Sequence, residues 1–398
     1  MNNNNQALDS NVAAIGVDNQ DLLSNTRVSI FGQNILSDYL TLLFSGLGVK
    51  EMLIQGERTQ KGFYELEELI DKNPHTHIKR HNCRFLKSRH DQFNPTHCFN
   101  VEQSEAYLKE ITDITGLPAN INGSKQTQSD TTIKACVLAE EFRRSLFAYS
   151  KNEHNIDFET NPKPFPHHTF YNQDSVKKRT LVIGAGGIGT YIALELAKEK
   201  NQNITIVDGD IVEVKNLNRQ LLYTNSIGNS KASALADVLS TFAPTNSITA
   251  ISEYISDREQ FEQYLSNEHI TQVYCATDNF ESRLLVSQAC EKTHTPLIEA
   301  GCNTRKAVVA QYQPGVTKPT HITREYKLFI RPPNEIKASE SASCIEQTNP
   351  SIIIPNVAAG ALMHQVGCPK QTETSEPSFL TGTLMYNPIH KYYFEETP

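Results

Sequence analysis

Residues 179–210 confine the possible folds of this chain more than any other stretch. Residues 181–183 (Leu-Val-Ile) are a short apolar run, Gly184, Gly186 and Gly189 follow in G-x-G-x-x-G spacing, and residues 191–196 carry the apolar period of a helix. A second apolar run, residues 204–207, ends on Asp208. Strand, glycine turn, helix and strand in that order predict a βαβ unit, with an acid about twenty residues beyond the turn.

Alone, the glycine spacing is a weak signal, because structural tight turns produce it often. Between a strand and a helix, with Asp208 in place, it reads as a nucleotide site: glycines admit a polyphosphate to a helix N-terminus, and the acid holds a ribose hydroxyl. The residues beyond Asp208 narrow the nucleotide. They are Asp210, Asn216-Leu217-Asn218-Arg219-Gln220, Ser230-Lys231, and later Ala276-Thr277-Asp278-Asn279 with Arg283. Two cations and a carboxylate around a glycine-rich turn suit a triphosphate with magnesium better than a nicotinamide.

This ordered series, from G-x-G-x-x-G through D-x-D, N-L-x-R-Q and Lys231 to T-D-N, resembles the ThiF/MoeB/E1 superfamily of ATP-dependent adenylating enzymes over residues 173–398. The resemblance implies an α/β, Rossmann-like adenylation fold that activates a carboxylate as an acyl-adenylate, using ATP and magnesium. It places Gly184, Gly186, Gly187 and Gly189 under the phosphates and Asp208 on the ribose, with Asp210 close by. Arg219 and Lys231 would neutralise the triphosphate, Asn216 and Gln220 would assist, and Asp278 would bind magnesium. Plainer roles compete: Arg219 as a solvated surface residue, Lys231 as a helix N-terminal lysine, Asp278 as a helix cap, and Arg283 as a surface partner of Asn279 or Glu281.

The first half of the chain repeats the pattern without its chemistry. A short helix over residues 15–25 leads into a strand, residues 35–44 have helical spacing ended by Gly46 and Gly48, and residues 51–57 form another strand. Gly32-Gln33-Asn34-Ile35-Leu36-Ser37 falls where Gly184 to Gly189 stand, and Gln55 falls where Asp208 stands. Cβ atoms on Asn34 and Ser37 would crowd a phosphate, and Gln55 lacks the two acceptor oxygens of a carboxylate. The helix expected over 133–146 corresponds to the one over 353–366. The reading is therefore a duplicated fold, with a degenerate copy in domain 1–150, a Pro-rich linker in 151–172 and an ATP-binding copy in 173–398. One chain holding both copies is expected to form an internal pseudo-dimer, with a homodimer also open.

A length of 398 residues permits two domains, and a net charge of −8 argues against a nucleic-acid surface. No apolar run reaches membrane-span length and no signal peptide opens the chain, so neither a membrane nor secretion is expected and the cytoplasm is the default. Residues 1–10 are expected to be mobile. Eight cysteines lie at 83, 98, 136, 275, 290, 302, 344 and 368 without a C-x-x-C pair. Where zinc-binding relatives carry the first such pair this chain has residues 321–328, so the structural zinc is expected to be absent.

Cys344 falls in a segment resembling the crossover loop where some relatives place an acyl-accepting thiol; an inert cysteine is the plainer reading. The R-Y-x-R-Q element of relatives is missing before Gly16, and the sequence leaves open whether Arg27, Arg80, Arg84 or another residue replaces it. The peptide-modifying branch of the superfamily fits best. It implies adenylylation of a carboxylate, a glutamate side chain, on a ribosomally made precursor peptide, then intramolecular cyclisation in peptide-antibiotic biosynthesis, with the first half as a peptide dock. The alternatives are activation of a ubiquitin-like or sulfur-carrier protein, an NAD(P)-dependent oxidoreductase, and a non-catalytic scaffold.

Overall fold

A computed structural model of the chain describes residues 8–58, 76–81, 93–101, 125–151, 178–304, 306–328, 330, 352–367, 383–386 and 393–395. Residues 152–172 of the expected linker, Arg84 and Cys344 lie outside them, and Lys151 belongs to a helix. Helices α1 (Asp9–Ile15) and α2 (Val17–Ser24) meet at Gly16 and lead into β1 (Arg27–Gln33), α3 (Ile35–Leu47) and β2 (Glu51–Arg58). The first helix starts within the segment expected to be mobile, because Asn11 is fully buried and donates to the Gly46 carbonyl at 2.9 Å. Gly46 does not end α3, as its spacing suggested. It lies inside the helix, where a Cβ would meet the Asn218 carbonyl oxygen at 2.8 Å, and the left-handed Gly48 supplies the stop.

With β3 (His77–His81) and β4 (His97–Asn100), the first half forms a parallel sheet in the order β3-β2-β1-β4, and the long helix α4 (Lys125–Lys151) packs on α3. The second half runs β5 (Arg179–Ile183), α5 (Gly187–Ala197), β6 (Asn203–Val207), α6 (Lys231–Phe242), β7 (Ser247–Ile251), α7 (Arg258–Asn267), β8 (Gln272–Cys275), α8 (Phe280–Thr293), β9 (Leu297–Cys302) and β10 (Ala307–Tyr312). After α9 (Thr320–Thr323) come α10 (Ile353–Gly367), β11 (Thr383–Tyr386) and β12 (Tyr393–Glu395). The sheet order is β12-β11-β10-β9-β8-β5-β6-β7, parallel from β7 to β9 and antiparallel beyond. Both halves thus order their first four strands alike, and α10 packs on α5 as α4 packs on α3.

Strand alternation divides the second sheet between two cores. Val182, Ile204 and Ile206 face the helices shared with the first half, and Leu181, Ile183, Val273 and Cys275 face α7 and α8. The first of these cores runs unbroken through both halves. At its centre is a polar knot: the Glu195 carboxylate accepts from the Tyr39 hydroxyl at 2.7 Å, the Thr132 hydroxyl at 2.9 Å and the Lys198 ammonium at 2.6 Å. Burial alone would raise Glu195, but the Lys198 and His364 charges and these donors hold it below the ordinary carboxylate range. No described helix is long and apolar enough to cross a membrane.

Glu195→Ala removes the carboxylate 2.6 Å from the buried Lys198 ammonium, whose side chain is 2% exposed, so that the charge of Asp38 only partly offsets it. The expected loss is about 3–5 kcal/mol of unfolding free energy. Urea denaturation measures it, and Glu195→Leu combined with Lys198→Met should recover part of the loss.

Candidate functional site

β5 lies between β6 and β8, so the chain departs to opposite sides there and opens a crevice at the strand ends. Gly184 leaves β5 at φ 90°, and a Cβ would press on the Ala276 backbone at 3.0 Å. A Cβ on Gly189 would collide with the Gly184 carbonyl oxygen, so only glycine lets α5 pack this close to the strand. Gly186 differs. It caps α5 without any side-chain hydrogen bond, and the nearest atom to its Cβ position is Gln220 Nε2 at 4.0 Å. The N-terminus of α5 therefore faces open space, the geometry that receives an anion. Gly187 is crowded by the Asn356 side chain and lies near Arg219 Cδ, 3.5 Å from its Cβ position.

Asp208 holds this turn in place. One oxygen accepts the Ala185 amide at 2.6 Å and the other accepts the Asp210 amide at 2.8 Å. Burial pushes its carboxyl up, against the pull of the Lys231 charge and the two amides. Each oxygen keeps a second lone pair for a hydroxyl donor.

Lys231, first residue of α6, sends its ammonium back to Asp210 at 2.7 Å rather than into solvent. The Tyr254 hydroxyl donates to the other Asp210 oxygen. Burial would raise Asp210, yet the Lys231 and Tyr254 hydrogen bonds hold it below its usual value, and the same bond with burial pushes Tyr254 up to about 12. Arg219 donates to Asn218 Oδ1 at 2.9 Å and lies near the crowded Gly187. Burial lowers its guanidinium, offset in part by Cys302, Asp278 and Tyr191.

Asp278 is exposed, and its charge acts on both Arg219 and Tyr254. The helix cap is Asn279, which accepts the Ser282 amide at 2.7 Å, so the capping role open to Asp278 falls to its neighbour. Arg283 is not the surface residue its position suggested. It is buried, and donates to the Thr277 and Ala300 carbonyls at 2.6 and 2.5 Å, tying the loop that carries Asp278 to β9. Asn216 is buried in a turn, where its side chain accepts the Glu213 amide at 2.9 Å. Gln220 is buried beside Gly186, and its Oε1 has no hydrogen-bond partner. Tyr254, Asn356 and Cys302 carry no motif, and only the fold brings them to this crevice.

The equivalent turn of the first half is closed. Gly32 has φ 103°, close to Gly184, but the cap residue is Asn34. Its Oδ1 accepts the Ser37 amide at 3.1 Å, its Nδ2 donates to the Val101 carbonyl at 2.6 Å, and the Ser37 hydroxyl accepts the Asn34 amide at 2.9 Å. The helix end that stands open in the second half is thus filled by the protein itself.

Gly186→Ala is expected to stay within about 0.5 kcal/mol of the parent in urea unfolding while weakening the binding of inorganic tripolyphosphate, an anion suited to an open helix N-terminus, at least tenfold, on the order of 1.4 kcal/mol. Gly189→Ala is expected to lose about 3 kcal/mol of stability. Denaturation and calorimetric titration, run on both variants, check the pair.

The family model described as ThiF matches residues 167–381. Among curated relatives, SUMO-activating enzyme subunit uba-2 of Caenorhabditis elegans is 32% identical over 127 residues, covering 32% of this chain and 22% of its own length. SUMO-activating enzyme subunit 2 of Dictyostelium discoideum is 28% identical over 214 residues, 53% of this chain and 31% of the relative. The probable molybdopterin-synthase adenylyltransferase of Porphyra purpurea is 33% identical over 120 residues, 30% of this chain and 31% of the relative. The chain thus spans less than a third of the length of these three relatives. Among solved structures, E. coli MccB with ATP superposes at a TM-score of 0.46 and 18% identity, covering 73% of this chain and 76% of that one. Selenomethionine PaaA gives 0.38 and 21%, covering 52% and 69%. With more than half of its residues matched by a single family model, the chain belongs to the ThiF family.

Proposed function

We propose that this protein is an ATP-dependent adenylyltransferase that activates a peptide carboxylate. The observation that carries the reading is the uncapped N-terminus of α5 at Gly186, bordered by Asp208, Lys231 and Arg219, with the exposed Asp278 acting electrostatically on Arg219. The triphosphate lies along the open amides with its ribose hydroxyl on Asp208, and Lys231 and Arg219 offset its charge. A carboxylate oxygen attacks the α-phosphorus, the new O–P bond forms, and the bond to the β-phosphate oxygen breaks with its electron pair, releasing pyrophosphate. The positioned cations hold the charge that develops on the phosphate oxygens.

Among the described residues no three His, Cys, Asp or Glu side chains converge as a metal site. Asp278 nevertheless fits magnesium, which is held by one or two carboxylates together with substrate phosphates and water. Bound there, the ion would neutralise phosphate charge.

The first half, with its turn closed by Asn34, serves as a degenerate partner to the second, which the shared strand order and the shared core support. A peptide rather than a folded protein substrate is favoured by residues 313–352, a span too short for an inserted catalytic-cysteine domain with its own core. The modified group is a glutamate side chain on a ribosomally made precursor, captured by a neighbouring group to close a ring. A second reading, activation of a ubiquitin-like or sulfur-carrier protein, draws on the SUMO-activating and molybdopterin-synthase relatives.

Pyrophosphate exchange into ATP should depend on a glutamate-containing peptide and fall about 100- to 1,000-fold in Lys231→Ala and in Arg219→Ala. Exchange driven by a ubiquitin-fold protein and by no peptide would favour the second reading. Because Asp208 has a raised pKa, its acceptor form is complete above that value and lost below it. Adenosine, which carries no phosphate to titrate, should bind more weakly as pH falls into the upper carboxylate range, and Asp208→Asn should flatten that dependence.

A further inference from the structure

The loop after β7 presents Tyr254 to solvent with 69% of the residue exposed, an unusual place for a large aromatic side chain that is nevertheless held on several sides. Its ring lies on the backbone of Gly209, where a Cβ would meet three ring carbons at 2.6–2.7 Å, so a side chain at 209 is incompatible with this contact. Its hydroxyl is tied to Asp210. Two residues earlier, the Ser252 hydroxyl meets those of Ser230 at 2.6 Å and Ser233 at 3.2 Å, fastening the loop to the start of α6. One ring face is thus occupied by Gly209, and the side chain remains largely open to solvent.

The direction of a bound nucleotide follows from the turn. With phosphates at Gly186 and the ribose at Asp208, the base extends away from α5, across residues 209–210 and the ends of β6 and β7. Tyr254 stands there. Resting on the adenylation reading, we infer that Tyr254 is the stacking platform for the nucleotide base, held in orientation by Asp210 and admitted by the missing side chain of Gly209. It is a positioning residue, and every base offers a π-face to it, so it contributes affinity more than base identity.

The test is calorimetric titration of the full chain with ATP and, separately, with inorganic tripolyphosphate, which has no base. Tyr254→Ala should weaken ATP about 10- to 100-fold while leaving tripolyphosphate unchanged. Tyr254→Phe should retain ATP affinity within about threefold, because the ring persists. Gly209→Ala should weaken ATP by displacing the ring, and should add little to Tyr254→Ala. An unchanged ATP affinity in Tyr254→Ala, or equal losses for ATP and tripolyphosphate, overturns the inference alone. Failure of the unaltered protein to bind ATP overturns the adenylation reading with it.

Discussion

The approach of α5 to the end of β5 governs the geometry of this protein. Gly189 allows the helix to come so near that a methyl group there would strike the Gly184 carbonyl oxygen. A helix set at that distance, starting at a cap residue without a side chain, aims its unpaired amides at the crevice where the strand order reverses. Asp208 then reaches from the next strand to the Ala185 amide and fixes the turn. Steric permission, helix polarity and one carboxylate together leave the start of α5 open towards the crevice.

The two halves show how little must change for that place to disappear. Strand order, the left-handed-side glycine and the packing of a long helix against the crossover helix recur in both. Asn34 in the cap position turns its side-chain oxygen onto the Ser37 amide, and the Ser37 hydroxyl accepts the Asn34 amide in exchange. An asparagine cap stabilises a helix by about 1 kcal/mol relative to alanine, so the closed turn favours the fold. The continuous core and the Tyr39–Glu195–Thr132 knot join the closed half to the open one.

One ion pair, Lys231 with Asp210, stands beside the open turn. Lys231 rests on Asp210 and Asp208 lies under its field, while Arg283 braces the Thr277 loop from beneath. Such pairing offsets part of the desolvation cost of the buried Lys231 ammonium and preserves its position.

The chain order of residues was enough to read the βαβ unit at 179–207 and a similar strand, helix and strand in the first half, because these depend on local periodicity and on glycine at fixed spacings. Roles set by contacts between distant segments were not legible. Arg283 looked like a helix-surface residue until β9 placed the Ala300 carbonyl against it, and Gly46 looked like a helix stop until Asn218 packed on it. Tyr254 belongs to no motif, and its place over Gly209 arises only when β6 and β7 pair. Sequence determined which local units form and which polar side chains they carry; the tertiary structure decided which turn stays open and which side chains meet there, since burial and hydrogen-bond partners are properties of packed elements.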